Sequence, residues 1–317
     1  MAVEYTSITT TGGWATTTVK AAWDLAFETA LNPLPTCYAL VDKQPERLTH
    51  RGDSQTLQVT QNYSEASITA AKAALAEELD VDPVKLPSPT TVTLTPVERG
   101  FANLRTLRLA NRSMYAVDPE IVRAIADHSA KVHDEVTQDA MVLGTKVYYG
   151  GAATSTATVA AGNVATASMI RKAVTYLRAQ GAETRDGEFY VGVIHPNVAF
   201  DLRQETGSGS WRVPNEYGSD QRKIWAGEFG EFEGVRFIQN ARARNKNDGA
   251  TSTQVYRTFI LGRQALAKSV IVEPQIVAGP VVDRLNRFKP VGWYSDLDVK
   301  IFRDQAIVRL ESATAMT

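Results

Sequence analysis

One long helical segment constrains this chain more than any other feature. Asp118-Pro119-Glu120 opens it. Asp118 can cap a helix, Pro119 suits the first helical position, and Glu120 favours the positive end of the helix dipole. Apolar or small residues then recur at helical spacing: Ile121, Ile125, Ser129, Val132, Val136, Ala140 and Leu143. Gly144 can end the run. About 25 residues at 1.5 Å each give a rod of ~37 Å. That is long for a globular helix and predicts a spine.

The residues before the spine cannot build a core. Residues 1–50 read as an N-terminal arm. Thr9-Thr10-Thr11-Gly12-Gly13 and Thr16-Thr17-Thr18 are polar and turn-prone, with Trp14, Trp23, Leu25, Phe27 and Leu31 as apolar anchors. Val19 to Leu31 has the stripe of a short amphipathic helix, which Pro33 and Pro35 break. Such an arm is ordered only against something else, and a frayed terminus is the plain alternative. Residues 51–105 read as a protruding hairpin with flanking strands. Ser54–Asn62 and Thr90–Thr95 alternate polar and apolar side chains, as half-buried strands do. Between them, Ser67–Leu79 is Ala/Glu-rich and favours helix, and Asp80–Pro89 carries three prolines. A two-stranded element is too thin to hold its own core. It is expected to pack on another element or another subunit.

Beyond the spine the chain is α/β in character. Within 106–182, Gly150–Thr158 is a loop and Met169, Ile170, Ala173, Val174 and Leu177 mark a second amphipathic helix, with Gly181 past its end. Within 183–280, Asp186-Gly187 is a turn and Phe189–Ile194 a buried strand. His195-Pro196-Asn197 leads into a short helix, Val198–Gln204. Further strands are expected at Glu233–Ile238, Val255–Leu261 and Ala267–Val272, with a polar hairpin tip at Asn245–Thr253. Within 281–317, Val291–Tyr294, Val299–Phe302 and Ala306–Leu310 are β segments. No repeat of the kind that marks solenoids or propellers is present.

Composition removes several function classes. Lys+Arg number 34 and Asp+Glu 35 in 317 residues, a net charge of −1. That argues against a surface built throughout to grip nucleic acid or an anionic membrane. The single cysteine, Cys37, excludes an intrachain disulfide and a Cys-rich zinc site. No apolar run reaches the ~20 residues that span a bilayer, and the first residues lack a signal-peptide pattern. The expectation is a soluble protein of intracellular origin.

No catalytic, cofactor or metal residue emerges. His128 and His133 are five apart, ~140° beyond one turn, so they do not share a helix face. His195 sits at a strand end, where catalytic groups often lie, but His-Pro-Asn reads more simply as a strand-terminating turn. Gly207-x-Gly209 lacks the third glycine of a dinucleotide loop. Arg51-Gly52-Asp53 is a chance tripeptide without a secretory context. Arg242, Arg244 and Lys246 default to a solvated loop, and Glu77-Glu78 to an exposed helix.

The order of parts resembles the major capsid proteins of tailed double-stranded DNA phages, the Hong Kong 97 fold. Four stretches carry it: Asp186–Arg203 with its strand, His-Pro and short helix; Gly227–Asn240, where a Gly-x-x-Gly turn precedes Gly-Val-x-Phe; Asp283–Trp293; and Ala306–Glu311. Asp118-Pro119 before a long helix fits as well. The resemblance implies an α+β chain with an N-arm (1–50), an E-loop (51–105), a P-domain with the spine (106–182), an A-domain (183–280) and closing P-domain strands (281–317). It implies self-assembly into pentamers and hexamers of an icosahedral head, formed in the host cytoplasm. That head encloses double-stranded DNA without sequence-specific binding. Scaffold, portal and decoration proteins are the further partners; neither a membrane nor a cofactor is implied. Some members lock the shell with a Lys–Asn isopeptide bond. Lys72 and Lys85 are the candidates here, no local motif matches, and no crosslink is expected. The alternatives are an encapsulin-type nanocompartment shell and a small α/β enzyme using His195.

Overall fold

The computed structural model describes residues 36–45, 52–60, 63–72, 84–113, 117–185, 187–205, 231–280, 283–285 and 287–316. Most of the expected arm, the end of the Ala-rich insertion with Glu77-Glu78, Arg51, Gly207-x-Gly209 and Gly227 lie outside them.

The hairpin is present. Strand β1 (Gln55–Val59) is followed by helix α1 (Glu65–Ala71) and by β2 (Thr90–Leu94). The strands pair antiparallel, Gln55 opposite Leu94 and Val59 opposite Thr90. Alternation puts Leu57, Val59, Val92 and the buried Leu94 on one face, against Ala267 and Phe302. This small cluster roots the hairpin.

Strand β3 (Val97–Thr106) and a short helix α2 (Leu107–Arg112) lead to the spine, α3 (Val117–Val142). The Thr106 side chain caps α2 by accepting from the Leu109 N–H at 3.3 Å. The spine covers the expected residues, but its buried side is wider than the apolar stripe. His133, Asp134, Thr137 and Gln138 are buried, whereas Leu143 is 75% exposed. Apolar spacing alone therefore misplaces the lower half of the contact face. There the helix is covered by polar partners from other parts of the chain.

The remaining elements are β4 (Val147–Tyr149), α4 (Ala167–Ala179), β5 (Tyr190–Ile194), α5 (Pro196–Gln204), β6 (Glu231–Phe232), β7 (Val235–Gln239), β8 (Asn245–Lys246), β9 (Val255–Leu261), β10 (Leu266–Ala278), β11 (Phe288–Ile301) and β12 (Ile307–Ser312). Two sheets organise them. One runs β10-β11-β3, antiparallel throughout, with α3 along it. The other runs β4-β12-β9-β5-β7-β6, with β8 added to β9.

Several strands differ from the expected ones. β11 is continuous across Ser295-Asp296-Leu297-Asp298, where sequence predicts two segments. The polar residues are tolerated because Ser295 bonds to His133 and Asp298 to the Thr95 N–H. β10 extends to Ala278 by way of two register shifts, between Val270 and Val272 and between Val272 and Gln275, the second spanning Pro274. The strand expected at Glu233–Ile238 is a tight β6–β7 hairpin. Glu233 and Gly234 have φ of 53° and 81°, as a primed two-residue turn requires. The sheets also cross the expected line near residue 280. β10 pairs with β11, and β12 joins the seven-stranded sheet.

Strand β5 is buried on both faces, which explains its unbroken apolar run. Tyr190 and Ile194 face α4, whose Met169, Ile170, Ala173, Val174 and Leu177 are all buried there. Val191 and Val193 face the other cluster, with Met141 of the spine, Phe259, Leu297 and Val299. Gly181 closes α4 at φ 67°, with Ala182 N–H bonded to the Leu177 carbonyl at 3.0 Å. Among the described residues, no helix is long and apolar enough to cross a membrane.

Two substitutions test this packing. A Cβ at Gly192 would lie 2.6 Å from Cδ1 of Phe237. Gly192→Ala is expected to cost roughly 1–3 kcal/mol in urea unfolding of unassembled subunits. Leu143→Gln is expected to stay within about 0.5 kcal/mol of the parent. A large loss in the second variant would mean that the spine end is covered.

Candidate assembly site

Residues 36–45 join the arm to the body. Cys37, Leu40 and Val41 are buried in the core beneath the seven-stranded sheet. Above them, the fully buried Asp134 of α3 collects the polar groups. Its Oδ1 accepts from the backbone N–H of Cys37 at 2.5 Å and of Tyr38 at 3.3 Å. Its Oδ2 accepts from Gln138 Nε2 at 2.8 Å and Asn240 Nδ2 at 3.3 Å. Asn240 Nδ2 also donates to Thr36 Oγ1 at 3.0 Å. A buried carboxylate is tolerable only when its oxygens are satisfied, and here four donors satisfy it. The thiol of Cys37 is pushed up to about 12 by burial and then by the charge of Asp134. It is therefore a poor nucleophile.

The next residues pair like a strand. Lys43 N–H donates to Leu266 O at 3.3 Å, and Lys268 N–H donates to Lys43 O at 2.9 Å. Asp42 accepts from Gln264 N–H at 2.7 Å and lies 3.7 Å from Arg185, which also donates to Leu40 O. The Lys268 ammonium sits 4.6 Å from the Tyr38 ring centroid. Residues 36–45 are thus held on the body by buried apolar contacts, backbone pairing and an ion pair.

Surfaces able to meet other copies concentrate at two places. Along the hairpin insertion, Tyr63, Ile68, Val84 and Leu86 are exposed. At the three-stranded sheet and the segments leading from it, Val97, Phe101, Leu107, Ile276, Val277 and Leu285 are exposed. Single exposed apolar residues are ordinary, and these stand out by falling on the hairpin insertion and around the three-stranded sheet. Lys72 and Lys85 are both exposed on the hairpin insertion.

His128, His133 and His195 hold structure. Trp293 Nε1 donates to His128 Nδ1 at 2.9 Å. His133 Nδ1 donates to the Ser129 carbonyl at 2.6 Å, leaving Nε2 to accept from Ser295 Oγ at 2.8 Å. Burial lowers the His133 pKa. The two rings approach Trp293 at 5.9 and 5.2 Å, although one is exposed and the other buried. They flank a single indole without sharing a face. Among the described residues, no group of three or more His, Cys, Asp or Glu is placed to hold a metal ion.

His195 ends β5 and caps α5. Its Nδ1 accepts from Asn197 N–H at 3.1 Å, and its ring lies 4.7 Å from Tyr256. Burial lowers its pKa, against a backbone hydrogen bond to Ala241. The ring thus serves as the cap of α5, packed on Tyr256, in keeping with the strand-terminating turn.

Two features go beyond what sequence patterns indicate. Arg242 and Arg244 are not merely solvated: they reach the spine, pairing with Glu135 and, at 2.8 Å, with Asp139. The fully buried Glu311 of β12 has Arg257 Nε and Arg309 Nε each at 3.0 Å, and Thr156 Oγ1 at 2.6 Å. Arg309 also donates to the Val142 carbonyl, tying the spine's end to the sheet. The sequence signal for this network is slight, two charges inside an apolar strand, Arg309 and Glu311.

The latch predicts a linked pair of effects. Asp134→Ala strands four buried donors and should cost about 3 kcal/mol. Freed from its anchor, Cys37 should react with a maleimide many-fold faster than in the parent. Unchanged labelling of Cys37 in a folded variant would refute the latch.

The phage capsid protein family matches residues 138–299, just over half of the chain. No curated protein sequence matches it. Among solved structures, the capsid of cyanophage Pam1 superposes with a TM-score of 0.71 at 15% identity, covering 98% of this chain and 100% of that one. The capsid of cyanophage P-SCSP1u gives 0.70 at 11% identity, with 96% of each chain covered. The capsid of Ralstonia phage GP4 gives 0.66 at 16% identity, covering 93% and 96%. These neighbours share the fold along nearly the whole chain, the Hong Kong 97 fold that the sequence resemblance implies. From the last turn of the spine to residue 299, near the end of β11, the chain carries the family's own sequence pattern, and it belongs to the phage capsid protein family.

Proposed function

We propose that this capsid protein builds its shell as pentamers and hexamers of an icosahedral head, with the hairpin laid across one neighbour and the arm crossing to another. The observation that carries this is the hairpin itself. It is rooted at one end by Leu94 on Ala267 and Phe302, while Tyr63, Ile68, Val84 and Leu86 further along it stay exposed. An element with an anchored base and an uncovered apolar end is made for a surface outside its own subunit. In the family's terms, the seven-stranded sheet is the A-domain around the axes, and α3 with the three-stranded sheet is the P-domain.

The role is structural. His128, His133 and His195 serve as caps and packing groups, and the cysteine is buried. Near-neutral charge suits a wall that encloses double-stranded DNA without holding it, since many fixed phosphate contacts would immobilise the genome. A separate scaffold and a portal are the partners such a head requires, and assembly belongs in the host cytoplasm. Neither Lys72 nor Lys85 forms a covalent bond in this reading.

Expression of the full chain with its scaffold, followed by negative-stain microscopy, is expected to give monodisperse shells. Boiled particles should run as monomer on a denaturing gel; a ladder of multimers would overturn the uncrosslinked reading. Deleting residues 63–86 should leave a folded body with unchanged far-UV circular dichroism strand content, eluting at subunit size. Shells from that deletion would refute the hairpin's role.

A further inference from the structure

Where the hairpin meets the three-stranded sheet, three carboxylates come together from three segments. Glu98 of β3 and Asp296 of β11 are directly opposed across the antiparallel ladder. Directly opposed residues share one face of a sheet, and like charges in that position repel. Asp53, two residues before β1, brings a third carboxylate close enough to bear on Asp296. Asp296 is only 9% exposed, and its Oδ1 is buried without a hydrogen-bond partner. By contrast, its neighbours on this face are engaged. Asp298 accepts from Thr95 N–H at 3.0 Å, and Glu98 accepts from Tyr294 Oη at 3.0 Å.

The surrounding charges do not neutralise Asp296. Arg99 of β3 is the nearby cation, but its Nη1 donates to the Leu297 carbonyl at 2.7 Å. Lys300 donates to Thr93 O at 2.7 Å and lies 3.7 Å from Asp298. On β10 the residue opposite Asp296 is the uncharged Val272. Burial, then Glu98, then Asp53 raise the pKa of Asp296, with Arg99 opposing.

We propose that Asp53, Glu98 and Asp296 form a proton-operated hinge: a proton on Asp296 lets the hairpin base close on the sheet, and its loss loosens that base. The location makes this consequential. Thr95–Asp298, Lys300–Thr93 and Ser269–Gln55 are hydrogen bonds that tie the hairpin base to the sheet beside the cluster. The sign comes from linkage. A carboxyl whose folded-state pKa is raised adds stability that is fully present below its unfolded pKa and is lost as pH rises through the folded one.

The test uses unassembled full-length subunits, so it does not depend on shell formation. Asp296→Asn keeps the shape and removes the charge. At pH 7.5 it should raise the thermal midpoint by a few degrees, and this gain should shrink towards zero at pH 4. Because His133 and His195 are present in both proteins, their own acid-linked losses cancel in the difference. Hydrogen exchange at pH 7.5 should slow in β1 and β2. Glu98→Gln, which can still accept from Tyr294, should give a smaller gain of the same sign. Asp53→Asn combined with Asp296→Asn should raise the midpoint by less than the two single gains together. A gain independent of pH, no gain at pH 7.5, or unchanged exchange in the hairpin would overturn the hinge.

Discussion

A single buried carboxylate joins the arm junction, the spine and the segment after β7. Asp134 belongs to the spine, yet its partners come from the arm junction, from the spine's next turn and from Asn240 just past β7. Each donor would be costly to bury unpaired, and so would the carboxylate. The network is therefore all-or-none. It places the arm's exit point relative to both sheets, which hydrophobic packing could not do with the same directional precision. Cys37, Leu40 and Val41 supply the apolar contact, and Asp134 supplies the position.

The same logic repeats at the other end of the spine. Glu311, Arg257 and Arg309 form a buried charge network inside an apolar sheet, and Arg309 reaches the last carbonyls of α3. Such networks are weak evidence for added stability, because desolvation opposes the attraction. Their contribution here is geometric: they fix how the spine crosses the seven-stranded sheet. A wall subunit has to hold its angles when neighbours pull on it, and polar networks with discrete geometry resist sliding better than a purely apolar seam. The hairpin is held differently, by one small apolar cluster and a few backbone bonds beside a repulsive carboxylate group. The body and the hairpin are thus held by different interaction types.

Legibility in the sequence tracks the range of the interactions. The spine, α4, and the run from β5 through His195 into α5 are readable because caps, turns and periodicity are local. The hairpin strands are readable from alternation, and their lack of a private core points to other subunits. The buried polar half of the spine is not readable. Its partners lie 97 and 106 residues away, at Cys37 and Asn240. Apolar spacing cannot register that Asp134 is inside and Leu143 outside. Likewise, Ser295 and Asp298 look like a strand break until His133 and Thr95 satisfy them from distant segments.

A shell subunit also has to limit its own self-sufficiency. A hairpin that buried Tyr63, Val84 and Leu86 on its own body would have nothing left to bind a neighbour. Leaving them exposed lowers the isolated subunit's stability but makes each neighbour contact favourable, and several weak contacts per subunit combine multiplicatively in a closed shell. The latch at Asp134 makes this division workable. By pinning the residues where the arm meets the core, it separates the part of the chain that must fold alone from the part that need not. Under the proposed assembly, contacts made by the hairpin need not loosen the body that carries it.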